Sequence, residues 1–222
     1  MAIIITGVSK GIGKQTILEL EKEYDVVGCS RSIKEEETNN KLMLKIDVNK
    51  DEELQELVNK TLEKFGKIDA VILNAGLGVF SKLEETKEQD YNMMYDTNVE
   101  SIYRLLTKTL PVLKKQNSGQ IIAISSMAGL NPVPMGSVYA STKWAVQGLI
   151  KSLKQELRDT HIKVALVQPG SVKTNFFDEA GMKPNPERVL NPGDISRTIK
   201  FILEQPKTSD IDEISIRPAY NP

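Results

Sequence analysis

Four short, largely apolar runs, at positions 2–5, 68–73, 120–124 and 164–167, constrain the fold of this chain more than any other feature. Runs of this kind suit strands buried on both faces, and such strands need helices above and below the sheet. The intervening sequence supplies them, with helical patterning over about 12–23, 51–65, 87–115, 137–160 and 192–205. In 51–65 the residues Leu54, Leu57, Val58, Leu62 and Phe65 recur at helical spacing, and Gly66 ends the run. Further strands are expected at 25–30, 42–46 and 211–216. The polar stretch 32–40 reads as a solvated loop with a stub of helix, and Pro111 predicts a break or kink in the third helix. Strand and helix in alternation imply an α/β fold, a doubly wound parallel sheet of about seven strands with right-handed crossovers and helices on both faces.

At 222 residues the chain suits a single domain, 1–222, with a core that needs no disulfide or metal. A net charge of -1 gives no general attraction to nucleic acid or to an anionic membrane. Cys29 has no partner cysteine, the first residues run into a strand without a basic leader, and no apolar run approaches the ~18 residues of a membrane span. A cytoplasmic protein whose partners are small molecules or copies of itself is expected. One histidine, His161, and one cysteine make no cluster of metal-ligand spacing. His161 reads as an exposed loop residue, Cys29 as a small buried hydrophobe and Trp144 as core or subunit interface.

Chemistry concentrates just past the carboxyl ends of the strands, where sheets of this type bind ligands. Strand 2–5 runs into Thr6-Gly7-Val8-Ser9-Lys10-Gly11-Ile12-Gly13, a turn that lets a ligand approach backbone amides at a helix N-terminus and so suits a phosphate. Its spacing differs from the commoner Gly-x-Gly-x-x-Gly fingerprint. Small residues also follow the other buried strands, as Asn74-Ala75-Gly76, Ser125-Ser126 and Pro169-Gly170. All should converge on one edge. Tyr139 and Lys143 stand four apart on a helix, placing a phenol and an ammonium on one face. The pair can be plain helix neighbours, or the cation can pull the phenol's pKa down from ~10 and make it an acid and base for an alcohol or carbonyl oxygen.

These motifs, in this order, resemble the short-chain dehydrogenase/reductase family, from Thr6 to the last strand. They are Thr6-Gly7-x-x-x-Gly11-x-Gly13, Asn74-Ala75-Gly76, Asn98 within Thr97-Asn98-Val99, Ser126 in Ser-Ser-x-Ala-Gly, Tyr139-x-x-x-Lys143, and Pro169-Gly170 before Thr174. The resemblance implies a Rossmann-type fold and an enzyme moving hydride between a nicotinamide coenzyme and an alcohol or carbonyl carbon. It makes Tyr139 the catalytic acid or base, Lys143 the group that tunes it and holds the nicotinamide ribose, Ser126 the partner of the substrate oxygen, and Asn98 the support of a proton-relay water. Coenzyme contacts are implied at Gly7, Ser9, Lys10, Gly11, Ile12 and Gly13 in the first turn. They continue at Arg31, Asp47, Asn74, Ala75 and Gly76, then at Tyr139 and Lys143, and end at Pro169, Gly170, Val172 and Thr174.

An NAD enzyme of this architecture carries an acidic residue after the second strand to bind the ribose hydroxyls. Ser30 and Arg31 stand there instead, and Arg31 with Lys10 could flank a 2′-phosphate, so NADP(H) is expected over NAD(H). Family members commonly pair through two long helices, and the apolar Val146, Leu149, Ile150 and Leu153 suggest a homodimer or homotetramer. Residues 172–191 read as a mobile cover, and Val133, Met135, Phe176, Phe177 and Met182 as an apolar wall of the substrate pocket. Two rival readings are a dinucleotide-binding sensor without turnover, and epimerase or dehydratase chemistry on nucleotide sugars, for which the chain leaves no room for a substrate domain.

Overall fold

A computed structural model of the chain describes residues 1–181, 185 and 187–219. Its strands are β1 (Ala2–Thr6), β2 (Asp25–Cys29), β3 (Glu36–Glu37), β4 (Lys41–Leu44), β5 (Ala70–Leu73), β6 (Gly119–Ile124), β7 (Ile162–Pro169) and β8 (Glu213–Ile216). They form one sheet in the order β3-β4-β2-β1-β5-β6-β7-β8, parallel throughout except for β3 against β4. The helices are α1 (Gly11–Leu20), α2 (Asp51–Phe65), α3 (Glu88–Tyr95), α4 (Ser101–Gln116), α5 (Ser137–Glu156), α6 (Phe176–Glu179) and α7 (Pro192–Leu203). The chain is thus an α/β protein with a Rossmann-type sheet. Strand order reverses between β1 and β5, which opens a crevice outside their carboxyl ends.

The pleat sorts the apolar residues into two cores. Ile4, Val27, Val71 and Ile121 face one side and pack under Leu54, Leu57 and Val58 of α2, Leu105 of α4 and Val146, Ile150 and Leu153 of α5. Their neighbours Ile3, Ile5, Val26, Ile72 and Ile122 face the other side, under Ile17 and Leu20 of α1 and Ile195, Ile199 and Ile202 of α7. Local sequence signals agree with this packing. In α2 the first turn carries Asp51, Glu52 and Glu53 and the last Lys64, and Gly66 closes the helix at φ 71°. A capping box of Asn191 and Asp194, with Pro192 in the first turn, starts α7.

Three expectations need correction. The stretch 32–40 holds no helix. Its Glu36–Glu37 forms an eighth strand, an antiparallel edge fixed by ion pairs of Glu36 with Lys41 and Glu37 with Lys64. A very short, charged strand is a common way to end a sheet without inviting a second chain to pair. Pro111 does not break its helix, since α4 runs on to Gln116. Both Pro111 and Thr107, whose carbonyl loses its amide partner, lie on the exposed side where water can replace the bond. The irregularity falls earlier, in a π turn at Asp96–Glu100 between α3 and α4. Finally, 172–191 is not all cover: Val172, Ala180 and Leu190 are buried, and Val172 bridges to Leu190. Met182 lies outside the described residues.

Candidate active site

The first turn is held by its neighbours. Gly7 takes φ 73°, and its amide donates to the Cys29 carbonyl at 2.9 Å. Thr6 Oγ1 accepts from the amides of Asn74 and Ala75, each at 3.0 Å, while Asn74 Nδ2 donates to the carbonyls of Thr6 at 2.8 Å and Gly7 at 3.1 Å. The Asn74 side chain therefore laces β5 to β1 across the crevice. Gly13 is buried beneath this lacing, and a Cβ there would stand 2.3 Å from the Gly7 carbonyl oxygen and 2.5 Å from Asn74 Nδ2. Asn74 and Gly13 build this cradle, and Gly7 and Gly11, at φ 73° and 58°, bring its backbone against Ala75 and Thr174.

The catalytic candidates meet at the other end of the same cleft. Tyr139, on the first turn of α5, is buried with Ser126 near enough to influence its titration, and Ser126 Oγ accepts from the Ala128 amide at 3.1 Å. Lys143, also buried, puts Nζ 5.9 Å from the centre of the Tyr139 ring and 3.2 Å from the Ile124 carbonyl. Burial dominates both titrations. It pushes the Tyr139 phenol up to about 12, with Ser126 working in the opposite direction, and pushes the Lys143 ammonium down to about 8. For the phenol, burial is the largest influence and it acts upward, opposite to the direction a neighbouring cation would give.

Asn98 sits in the π turn, buried out of the cleft, and acts on its wall. Its Oδ1 accepts from the Leu77 amide at 2.9 Å, and its Nδ2 donates to the Leu77 carbonyl at 2.9 Å and to Thr142 Oγ1 at 3.0 Å. Thr142 in turn donates to the Tyr139 carbonyl at 2.7 Å. The amide thus ties the loop after β5 to the helix bearing the Tyr and Lys pair. Among the sequence candidates, Gly7, Ser9, Lys10, Gly11, Ile12, Arg31 and Asp47 line one continuous cavity of about 670 Å³. So do Asn74, Ala75, Gly76, Ser126, Tyr139, Lys143, Pro169, Gly170, Val172 and Thr174. Gly13 and Asn98 support it from behind.

Several contributions went unread in the sequence. Thr6 opens the glycine-turn motif, but its bonds to Asn74 and Ala75, like that of Thr142 to Asn98, are long-range contacts that no local pattern announces. Asn49 lines the cavity with its Oδ1 buried and unpartnered, while its Nδ2 donates to Thr97 Oγ1 at 3.1 Å. Phe80, two residues past Gly78, packs on the Tyr139 ring. Glu179 forms an ion pair with Lys10, so this cation of the glycine turn is already engaged by α6. Of the remaining residues, His161 is exposed, Cys29 is buried with its thiol pushed up to about 12, and Trp144 is 53% exposed and so not core. Among the described residues no group of three acidic, histidine or cysteine side chains could hold a metal, and no helix is long and apolar enough to cross a membrane.

A Rossmann-type sheet whose carboxyl edge carries this glycine turn, a half-buried Ser126 and a buried Tyr139 and Lys143 defines a class. The short chain dehydrogenase family model matches residues 1–185, and the chain belongs to that family. It is 33% identical to an uncharacterized oxidoreductase of Listeria innocua, across 99% of this chain and 97% of that protein. Among solved structures it is similar to an alcohol dehydrogenase from the archaeon Thermococcus sibiricus complexed with 5-hydroxy-NADP. That likeness has 29% identity and a TM-score of 0.87, over 100% of this chain and 97% of the other. ElxO with NADP bound is 32% identical at a TM-score of 0.87, over 97% and 96% of the two chains.

Proposed function

We propose that this protein is an NADP(H)-dependent oxidoreductase that interconverts an alcohol and a carbonyl, with Tyr139 as acid and base. The observation that carries this reading is the meeting of Tyr139, Ser126 and Lys143 at one end of a cleft whose other end is the glycine turn. The cleft fits a dinucleotide: it is about 670 Å³, it has a helix N-terminus behind a cradle that a Cβ would fill, and it presents the unpartnered Asn49 Oδ1. A bound nicotinamide supplies or accepts the hydride at carbon. The proton at oxygen is left to the chain. In reduction the Tyr139 hydroxyl gives its proton to the forming alkoxide while Ser126 orients the carbonyl oxygen, and in oxidation both steps reverse. Asn98 is a positioning residue in this scheme, holding the Leu77 loop against α5.

The test of the reaction is absorbance of reduced coenzyme during incubation with a panel of ketones, aldehydes and secondary alcohols. A dinucleotide-binding sensor would bind coenzyme and turn nothing over. For the coenzyme, Ser30 and Arg31 line the cavity where a ribose-binding carboxylate would stand, and Lys10 lines it from the glycine turn. NADP-bound relatives of the same fold support the phosphorylated form. Binding of a 2′-phosphate must draw Lys10 away from Glu179 or share it. Replacing both Arg31 and Lys10 by alanine is expected to lower NADPH affinity by one to several powers of ten, at about 1.5–3 kcal/mol for each charge-assisted contact, and to leave NADH nearly unchanged. Fluorescence titration of the two coenzymes at modest ionic strength measures this, and equal affinities in the parent protein would refute the assignment.

We also propose a homo-oligomer through the two long helices and Trp144, as the sequence suggested, but without the apolar stripe of α5. Val146, Ile150 and Leu153 are consumed by the core of one chain, whereas Tyr103 of α4 and Trp144 of α5 remain 59% and 53% exposed. Large aromatics exposed on the two long helices suit an interface. Light scattering is expected to give a multiple of the 24.8 kDa chain mass, and Trp144→Glu to shift it toward the monomer.

A further inference from the structure

The cavity is chemically divided. Its charged residues Lys10, Arg31 and Asp47 belong to the glycine turn and the ends of β2 and β4, and Glu179 is paired with Lys10. Around Tyr139 the described lining is largely apolar apart from Ser126 and Lys143, and Lys143, the one cation beside the phenol among the described residues, is hydrogen-bonded to the Ile124 carbonyl. Three rings close on one another at this end. Phe80 and Tyr139 have centroids 5.2 Å apart, Tyr139 and Phe176 5.5 Å, and Phe80 and Phe176 6.4 Å.

All three rings converge on the missing side chain of Gly78. A Cβ built there would stand 2.7 Å from Phe176 Cζ, 3.1 Å from Tyr139 Cδ2 and 3.3 Å from Phe80 Cε2. Gly136 does the same for the far edge of Phe80, where a Cβ would lie 2.9 Å from Cε1 and 3.0 Å from Val133 Cγ1. The backbone is thinned at two places so that two phenyl rings can press against the phenol that handles the proton. Any group presented to the Tyr139 hydroxyl travels between aromatic faces and edges, and Val79, Val133 and Met127 extend the apolar lining.

We propose that the substrate of this site is a small uncharged carbonyl compound, or its alcohol, whose body is an aryl or compact alkyl group lying against Phe80 and Phe176. Carboxylated and phosphorylated compounds are disfavoured. Aromatic faces and edges reward a flat apolar body with offset or edge contacts. An anionic group laid against the two phenyl rings would give up its water, and among the described residues those rings offer it no cation in return. Phe80, Phe176 and Gly78 are the specificity-determining residues, the phenyl rings as walls and the glycine as the space that admits them.

This inference rests on the oxidoreductase reading, and a dead-end complex separates the two. Benzyl alcohol cannot be oxidised by reduced coenzyme, so its binding is independent of turnover. Calorimetric titration of benzyl alcohol and of 4-carboxybenzyl alcohol, into coenzyme-free protein and into protein saturated with NADPH, is expected to favour the neutral compound by about tenfold or more. Phe176→Ala should weaken the neutral compound by about tenfold, in the range of lost aromatic contact and burial, and barely move the charged one. Equal or tighter binding of the carboxylate, no binding of the neutral compound, or an unchanged neutral affinity in Phe176→Ala overturns the substrate class. Neutral binding without reduction of benzaldehyde by NADPH would instead overturn the reaction and leave the apolar pocket standing.

Discussion

Tyr139→Phe is expected to lower the rate of carbonyl reduction by about 100- to 10,000-fold while leaving coenzyme affinity nearly intact. The substitution keeps the ring that packs against Phe80 and Phe176 and removes only the hydroxyl beside Ser126. The fold should hardly notice. The pH dependence follows from the same burial. With the phenol pushed up to about 12, Tyr139 keeps its proton through the neutral range and stands ready as an acid for reduction. Oxidation needs the deprotonated phenol, so its rate should climb as pH rises above neutrality. Lys143 loses its charge as pH rises through about 8, so if the ammonium supports the developing alkoxide, reduction should decline above that point. Profiles measured in both directions, on parent and variant, check these slopes. A variant retaining more than about a tenth of the parent rate would show that the hydroxyl is not the positioned acid.

Gly13→Ala should damage both stability and coenzyme binding, through one methyl group. Its Cβ would fall 2.3 Å from the Gly7 carbonyl oxygen, a backbone atom at the floor of the turn, and 2.5 Å from the Asn74 amide that laces the turn to β5. Neither neighbour is the free end of a flexible side chain. Relief requires α1 to back away from β1, or Asn74 to give up its hydrogen bonds to Thr6 and Gly7. Overpacking of this kind costs about 1–3 kcal/mol, which in a domain of this size lowers the melting temperature by roughly 2–4 °C per kcal/mol. Because the displaced atoms are those proposed to cradle the coenzyme phosphate, NADPH affinity should fall by at least about tenfold, the equivalent of 1.4 kcal/mol. Gly148→Ala is the control for a methyl group added to a helical glycine without crowding, since Gly148 lies within α5 and nothing lies within 4 Å of a Cβ there. A Gly13→Ala protein with the parent's melting temperature and NADPH affinity would mean that the cradle yields freely.

What the sequence determined by itself is what local pattern can carry. Runs such as 68–73 are too apolar for any place but the middle of a covered sheet, and helical spacing in 51–65 names the buried face of α2 without reference to anything distant. The site was legible for a related reason. The glycine turn, Asn74–Gly76, Ser126 and Pro169–Gly170 follow the carboxyl ends of parallel strands, and a parallel sheet brings every such end to one edge however far apart the strands lie in sequence. Tertiary structure alone decided the rest. Whether Pro111 interrupts α4 depended on which side of the helix faces water, and the charged edge strand β3 exists only because β4 and α2 offer it partners. Val146, Ile150 and Leu153 look the same in sequence whether they meet another chain or the sheet beneath them. The Tyr139 titration is the sharpest case. Spacing puts a cation near the phenol, but the sign of the shift depends on how much water the surrounding rings exclude. Burial is a property of the whole fold, and here it raises the phenol that the lysine alone would lower.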